Sequence, residues 1–390
     1  MTAAPIADVE VIAFESAMNP DDCDGAADTI VVRLTDVDGR TGIGEADAPA
    51  DVVRAFIDMS DLHVWSRGLR GLLLGQDPFP IPALWDRLYE GSIYPGRRGA
   101  GIHAISAVDI ALYDLVGKQL DRPVYELLGG ARRDALTPYA TLFPGLPQGR
   151  SMHALQTEVD ALLDRALELG FRAMKVEALF DDLLTDKELA DLLLRIRRRV
   201  GGEAELLVDF GYRWRDWRAA LRTLERAGEA DLYLAEATLA HDDLDGHARL
   251  AARVSTRIGG AEFAATRFEC REWLERGRVD VLQPDPSRVG GLTEYRRVAE
   301  LAAQHAATVI PHGWKTGITV AANMHLHAAS TNMPMFELVS PQLWSSPLRR
   351  ELTVPEPELL DGTLALPSGP GLGIELDAAA VERYRTDVPA

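Results

Sequence analysis

With 60 acidic and 41 basic side chains among 390 residues, the chain carries a formal charge of -19, which argues against a nucleic-acid-binding surface and leaves room for a cation among its carboxylates. Its length allows a substantial core and two domains. Cys23 and Cys270 stand far apart with no disulfide framework, and neither a basic-then-apolar start nor a bilayer-length apolar run occurs, so a soluble, cytoplasmic protein is expected.

In chain order, "VEVIAF" and "TIVVRLTD" read as strands, followed by the turn "VDGRTG" and the short strand "IGEA", a small antiparallel sheet. Helical stretches follow at "DVVRAFIDM" and "IPALWDRLYEG", then the glycine and arginine-rich loop "GSIYPGRRGAG", then "IHAISAVDIALYDLVGKQL", whose apolar spacing fits a packed helix. Residues 1–132 therefore form an α+β module. Over 133–350, short apolar runs alternate with helical stretches: "ALTPYATL", "FRAMKVE", "AELLVDF", "DLYLAEA", "TRIGGAE", "VDVLQPD", "ATVIPHG" and "PMFELV". This alternation points to an α/β barrel of the TIM-like type, with a doubly wound sheet as the competing architecture. Residues 351–390 lose the repeat, hold two β-like pieces, and are expected to return to complete the first domain.

The apolar runs end with, or lead into, Asp209, Glu236, Glu262, Asp285, His312 and Glu337. In a barrel the carboxyl ends of the strands share one rim, so these residues would meet above one mouth. Asp209, Glu236 and Glu262 come from three successive units; crowded carboxylates repel unless a cation joins them, and hard oxygen donors favour Mg²⁺. The competing reading of any one of them is a pair with an arginine or a helix cap. A carboxylate at Asp285 holding one nitrogen of His312 would fix its tautomer and make a general acid or base. The remaining histidines lack so specified a partner and suit surface or core hydrogen bonds. Lys175 and Glu177, two apart on "FRAMKVE", face the same side of a strand, as a local ion pair or as part of the site.

This ordered set resembles the enolase superfamily, and within it the mandelate racemase subgroup, through "SAVDIALYDLVGK", "PVYELLGG", the three carboxylates, "VLQPDPSRVGGLTE", "PHGW", Glu337 and "LPSGPGLGIELD". The resemblance implies a modified (β/α)7β barrel under an N-terminal capping domain. It also implies a Mg²⁺-dependent enzyme that removes the proton beside a substrate carboxylate. By the same resemblance Lys175 is an electrostatic donor near that carboxylate. Glu337 lies opposite the metal and would bond the other carboxylate oxygen, either protonated or through another donor. Glu177 stands where two-base members carry a second lysine. That departure favours dehydration of a sugar acid to a 2-keto-3-deoxy acid by the His312–Asp285 dyad over racemisation or epimerisation. A non-catalytic metal or sugar-acid binding protein is the reading from another class. Glu177 itself is a weak base, a hydroxyl ligand or a structural partner.

The expected substrate is a small polyhydroxylated carboxylate, and because the resemblance includes many dimeric or octameric relatives, a homo-oligomer is expected. The capping loops "GEADAP" and "SIYPGRRG" are expected to read it, with Tyr94, Arg97 and Arg98 available to a second carboxylate or at least one of the arginines facing solvent, and with Trp314 and Lys315 at the mouth or Trp314 packed under the capping domain. "GPGLG" reads as turns, since it follows no βα nucleotide-binding element.

Overall fold

Alternating apolar positions build β1 (Ile6–Glu15), β2 (Asp28–Asp36) and β3 (Thr41–Ala46) into an antiparallel sheet of that order. In the β2–β3 turn the Asp36 carboxylate accepts the N–H groups of Asp38 and Arg40, both at 2.9 Å, and Gly39 takes a φ of 84° that favours glycine. The computed structural model describes residues 3–17, 27–180 and 183–386, so Cys23 lies outside the described residues, while Cys270 is buried. Helix Ala100–Leu120 packs on β3. A Cβ on Gly42 or Gly44 would collide with the carbonyls of Ala111 and Ala107, so glycine there sets how closely helix and sheet approach. This helix has the length and composition to cross a membrane, yet it is 89% buried over its most apolar window and serves as core.

The chain then lays down β4 (Ala135–Leu136), β5 (Pro138–Leu142), β6 (Ala173–Glu177), β7 (Glu205–Asp209), β8 (Leu234–Glu236), β9 (Arg257–Gly260), β10 (Val281–Leu282), β11 (Thr308–Val309) and β12 (Phe336–Leu338). From β5 to β12 they form one 8-stranded parallel sheet in the order β11-β10-β9-β8-β7-β6-β5-β12. Sequential order, with the last strand paired beside the first, rules out the doubly wound sheet and makes a curled (β/α)7β barrel. No ladder joins β11 to β12; the Val309 N–H donates instead to the Asn332 carbonyl at 3.1 Å. "ALTPYATL" thus splits at Thr137: its second half enters the barrel, and its first half leaves to pair elsewhere.

After the barrel come β13 (Thr353–Val354), β14 (Leu359–Leu360), β15 (Thr363–Ala365) and β16 (Glu375–Leu376), four short strands where two pieces were expected. β15 pairs with β4 and β13 with β16, and the chain after helix Ala378–Tyr384 reaches β1 through an Arg385–Phe14 bridge. The "GPGLG" turns tie down on helix Ala100–Leu120: Asp114 accepts the Leu372 N–H at 2.8 Å and the Ile43 N–H at 2.9 Å. Two other buried carboxylates fasten cap to barrel. Glu45 accepts the hydroxyls of Thr29 (2.5 Å), Thr316 (3.0 Å) and Thr319 (2.7 Å), while Asp109 accepts the Thr293 N–H (2.9 Å) and hydroxyl (2.7 Å). Burial pushes all three carboxyls upward, Asp109 to about 7.

Candidate active site

Parallel register aligns Glu177 with Asp209 and Asp209 with Glu236 across β6, β7 and β8, so the three carboxylates leave neighbouring strand ends on the same side. Glu262 follows β9 after a chain reversal at Ala261, whose φ of 85° is strained for alanine. Asp209 accepts the Gly211 N–H at 2.8 Å. Burial, with the charges of Glu236 and Glu262 and against the pull of Lys175, pushes Asp209 up to about 8. Glu236 receives the Lys175 ammonium at 3.0 Å on one oxygen and the Gln283 amide on the other. Glu262 receives the Tyr212 hydroxyl at 2.5 Å and lies 3.4 Å from His312 Nε2. With Glu236 and Glu262 drawn to these donors, no three acidic, histidine or cysteine side chains among the described residues already converge at metal-binding distance. The donor set still fits a hard divalent cation: all ligating atoms are carboxylate oxygens, and their mutual repulsion is what a cation relieves.

On the next two strand ends, His312 Nδ1 lies 2.6 Å from one oxygen of Asp285. The other oxygen of Asp285 accepts the Ser287 N–H at 2.6 Å and its hydroxyl at 2.5 Å, capping the short helix Pro286–Val289. The carboxylate is thereby fixed before it meets the imidazole. Burial alone would lower His312, but Asp285, Glu262 and Glu337 outweigh it and Arg288, raising it to about 9. Nε2 is left toward the cavity that His312 lines.

Lys175 is buried, its ammonium 3.0 Å from Glu236 and 2.9 Å from Glu337. Burial disfavours its charge, yet the two carboxylates hold it well above the usual lysine range. Glu337 also accepts the Thr141 hydroxyl and, at 2.7 Å, the Gly313 N–H. Against burial, Lys175 and His312 draw Glu337 down to about 2. A protonated Glu337 is therefore not what this surrounding favours; the donor beside it is Lys175. Glu177 is buried and lines the same cavity, of about 260 Å³, with Asp209, Glu262, His312 and Trp314.

The expected loop residues are not gathered there. Tyr94 is 75% exposed against His63, and Arg98 lies over the Phe268 ring of a barrel helix, 5.4 Å from its centroid. Neither these two nor Arg97 lines the cavity. "SIYPGRRG" holds a helical turn, Ile93–Gly96, where a flexible loop was expected. The "GEADAP" side chains turn to the seam: Glu45 to its threonines, and Asp47 to Arg288 and, at 3.2 Å, to Lys315. Lys315 thus points away from the cavity while its neighbour Trp314 lines it, packed on Trp344 at 4.4 Å. Two polar residues escaped the sequence reading. Gln283 follows Val281 and precedes Asp285 at strand spacing, which could have revealed it. Tyr212, at a φ of 61° after Gly211, carried no periodic signal.

Residues 16–129 match the family described as mandelate racemase / muconate lactonizing enzyme, N-terminal domain, and residues 158–380 match enolase C-terminal domain-like. The chain is 32% identical over 366 residues to L-rhamnonate dehydratase of Saccharopolyspora erythraea, covering 90% of this chain and 83% of that one. It is 29% identical over 365 residues to D-galactarolactone cycloisomerase of Agrobacterium fabrum, covering 92% of each. Among solved structures, a protein assigned only provisionally as a racemase superposes with a TM-score of 0.93 at 41% identity, over 98% of both chains. A racemase from Streptomyces coelicolor with bound magnesium superposes with a TM-score of 0.82 at 27% identity, over 98% of this chain and 100% of the other.

Proposed function

Because the chain belongs to the mandelate racemase and muconate lactonizing enzyme family of the enolase superfamily, we propose that it dehydrates a polyhydroxylated acid to a 2-keto-3-deoxy acid. The observation that carries this reading is a one-sided supply of proton-transfer groups. His312, braced by Asp285, serves the cavity, whereas Lys175 is clamped as an ammonium between Glu236 and Glu337 and position 177 holds a glutamate. Racemisation needs a proton-transfer group on each face of the reacting carbon; elimination needs one.

In this reading Asp209, Glu236 and Glu262 hold Mg²⁺, which supplies fixed positive charge to the carboxylate where negative charge gathers as the proton leaves. Lys175 adds a fixed donor to the same carboxylate, and Glu337 keeps that lysine charged and in place. The carboxylates that hold His312 protonated include Glu262, whose charge a bound cation would offset, freeing the neutral imidazole to take the proton from carbon 2 at Nε2, with Asp285 steadying the imidazolium. The imidazolium returns that proton to the hydroxyl on carbon 3, which departs as water while the carbon 2–carbon 3 double bond forms. The resulting enol becomes the ketone by taking a solvent proton at carbon 3. Sugar-acid dehydratases among the relatives support this lyase chemistry. The 41%-identical racemase-like neighbour favours a second reading, epimerisation with Glu177 as the opposing group. A panel of sugar acids incubated with Mg²⁺ and assayed for 2-keto product tests the first; inversion at carbon 2 without keto product across the panel sinks it.

A further inference from the structure

Of the side chains lining the cavity, the cationic or basic ones are Lys175 and His312, both committed in the dehydration reading to the reacting end. The rest of the wall is neutral or acidic: Glu177 contributes a carboxylate, Tyr212 and Phe263 a stacked pair at 5.5 Å, and Trp314 an indole face. The indole N–H of Trp314 is buried and unpartnered among the described residues, a neutral donor suited to a hydroxyl. At the seam behind Phe263, the charges of Arg288 and Lys315 are already matched. Arg288 pairs with Asp47, and Lys315 pairs with Asp47 at 3.2 Å and Asp28 at 3.5 Å. No lysine or arginine of the chain falls outside the described residues, whereas segments 18–26 and 181–182 carry several aspartates. The arginines expected to receive a second carboxylate, Arg97 and Arg98, do not line the cavity.

We infer that the substrate is a monocarboxylate whose far end carries neutral hydroxyls, an aldonate in place of an aldarate; this rests on the dehydration reading above. A second carboxylate in this cavity would lose its hydration beside Glu177 with no free cation to receive it, a cost that a hydroxyl avoids. Aromatic faces, an indole donor and a carboxylate acceptor are the groups that read a polyol chain.

The test is a set of matched pairs, each aldonate against the aldarate of the same internal configuration, assayed with Mg²⁺ for 2-keto-3-deoxy product. For the configuration that reacts, kcat/KM for the aldonate is expected to exceed that for the aldarate by at least about 100-fold. Equal or greater activity on the aldarate overturns the inference while leaving dehydration standing. Glu177→Gln, which removes the wall charge at constant size, is expected to shrink the ratio about tenfold; an unchanged ratio overturns the charge argument. Should the variant turn over neither acid, the same ratio is read from calorimetric binding constants. Absence of keto product from every wild-type pair defeats the dehydration reading, and the inference then stands or falls on whether the aldonates bind more tightly than the aldarates.

Discussion

Glu45 and Asp109 at the seam between cap and barrel, and Asp114 between the cap and the C-terminal segment, each accept hydrogen bonds from backbone N–H groups or threonine hydroxyls held by the fold. At the barrel rim, Glu236 is buried while Asp209 and Glu262 are partly exposed; the charges of Glu236 and Glu262 raise the proton affinity of Asp209, that of Glu262 raises Glu236, and the donors they meet are mostly side chains. Glu236 is as buried as the first set, so burial alone does not distinguish them. What differs is whether fixed dipoles already satisfy the negative charge. A carboxylate satisfied by backbone holds two elements together; carboxylates facing one another across a cavity are poised for a cation and a substrate.

The sharpest break between the two regions is expected from His312→Asn. Loss of this dyad should cut turnover by about 10³-fold or more while unfolding stays cooperative; near-wild-type turnover by stopped assay would remove His312 from the chemistry. Asp114→Ala should do the opposite. It strips the Leu372 and Ile43 N–H groups of their acceptor and should lower the unfolding free energy by about 2–3 kcal/mol in urea, with kcat/KM within about threefold of wild type. A loss of activity without loss of stability there would erase the distinction between seam and rim.

Tyr212→Phe probes the border of the two, since it removes one donor to Glu262 and leaves the ring on Phe263. Equilibrium Mn²⁺ binding without substrate should weaken about tenfold, and unaltered affinity would make the tyrosine a packing residue. The mildest effect concerns pH and Asp109. Its folded-state value, about 7, lies above that of an unfolded aspartate. Its share of stability is therefore fully present at acid pH and is lost as pH rises toward 7. Asp109→Asn should flatten that decline between pH 5 and 7 in urea titrations; an identical slope would show that Asp109 contributes nothing to it.

The barrel and its rim were legible because a polar residue recurs at each strand end, one per β/α unit, above an apolar interior. Asp285 and His312 could be linked from sequence for the same reason. Side-chain direction was less accessible. Trp314 and Lys315 are adjacent in sequence and diverge in space, one to the cavity and the other to Asp47. Asp109 and Asp114 are as acidic and as buried as Glu236, and only their partners, some from distant parts of the chain, reveal what they do. The charge state favoured at Glu337 depends on Lys175, His312 and Thr141 coming together from three strands. Tyr94, Arg97 and Arg98 looked suited to an acid substrate by residue type, but none of the three lines the cavity.

The central claim is that one acid-base dyad works one face of the reacting carbon. It is tested most directly by following a reactive sugar acid with Mg²⁺ in deuterated water by NMR. The account predicts a 2-keto-3-deoxy product carrying one deuterium at carbon 3, with the unreacted acid retaining its configuration at carbon 2. Accumulation of the carbon 2 epimer, deuterated at that position, would contradict it.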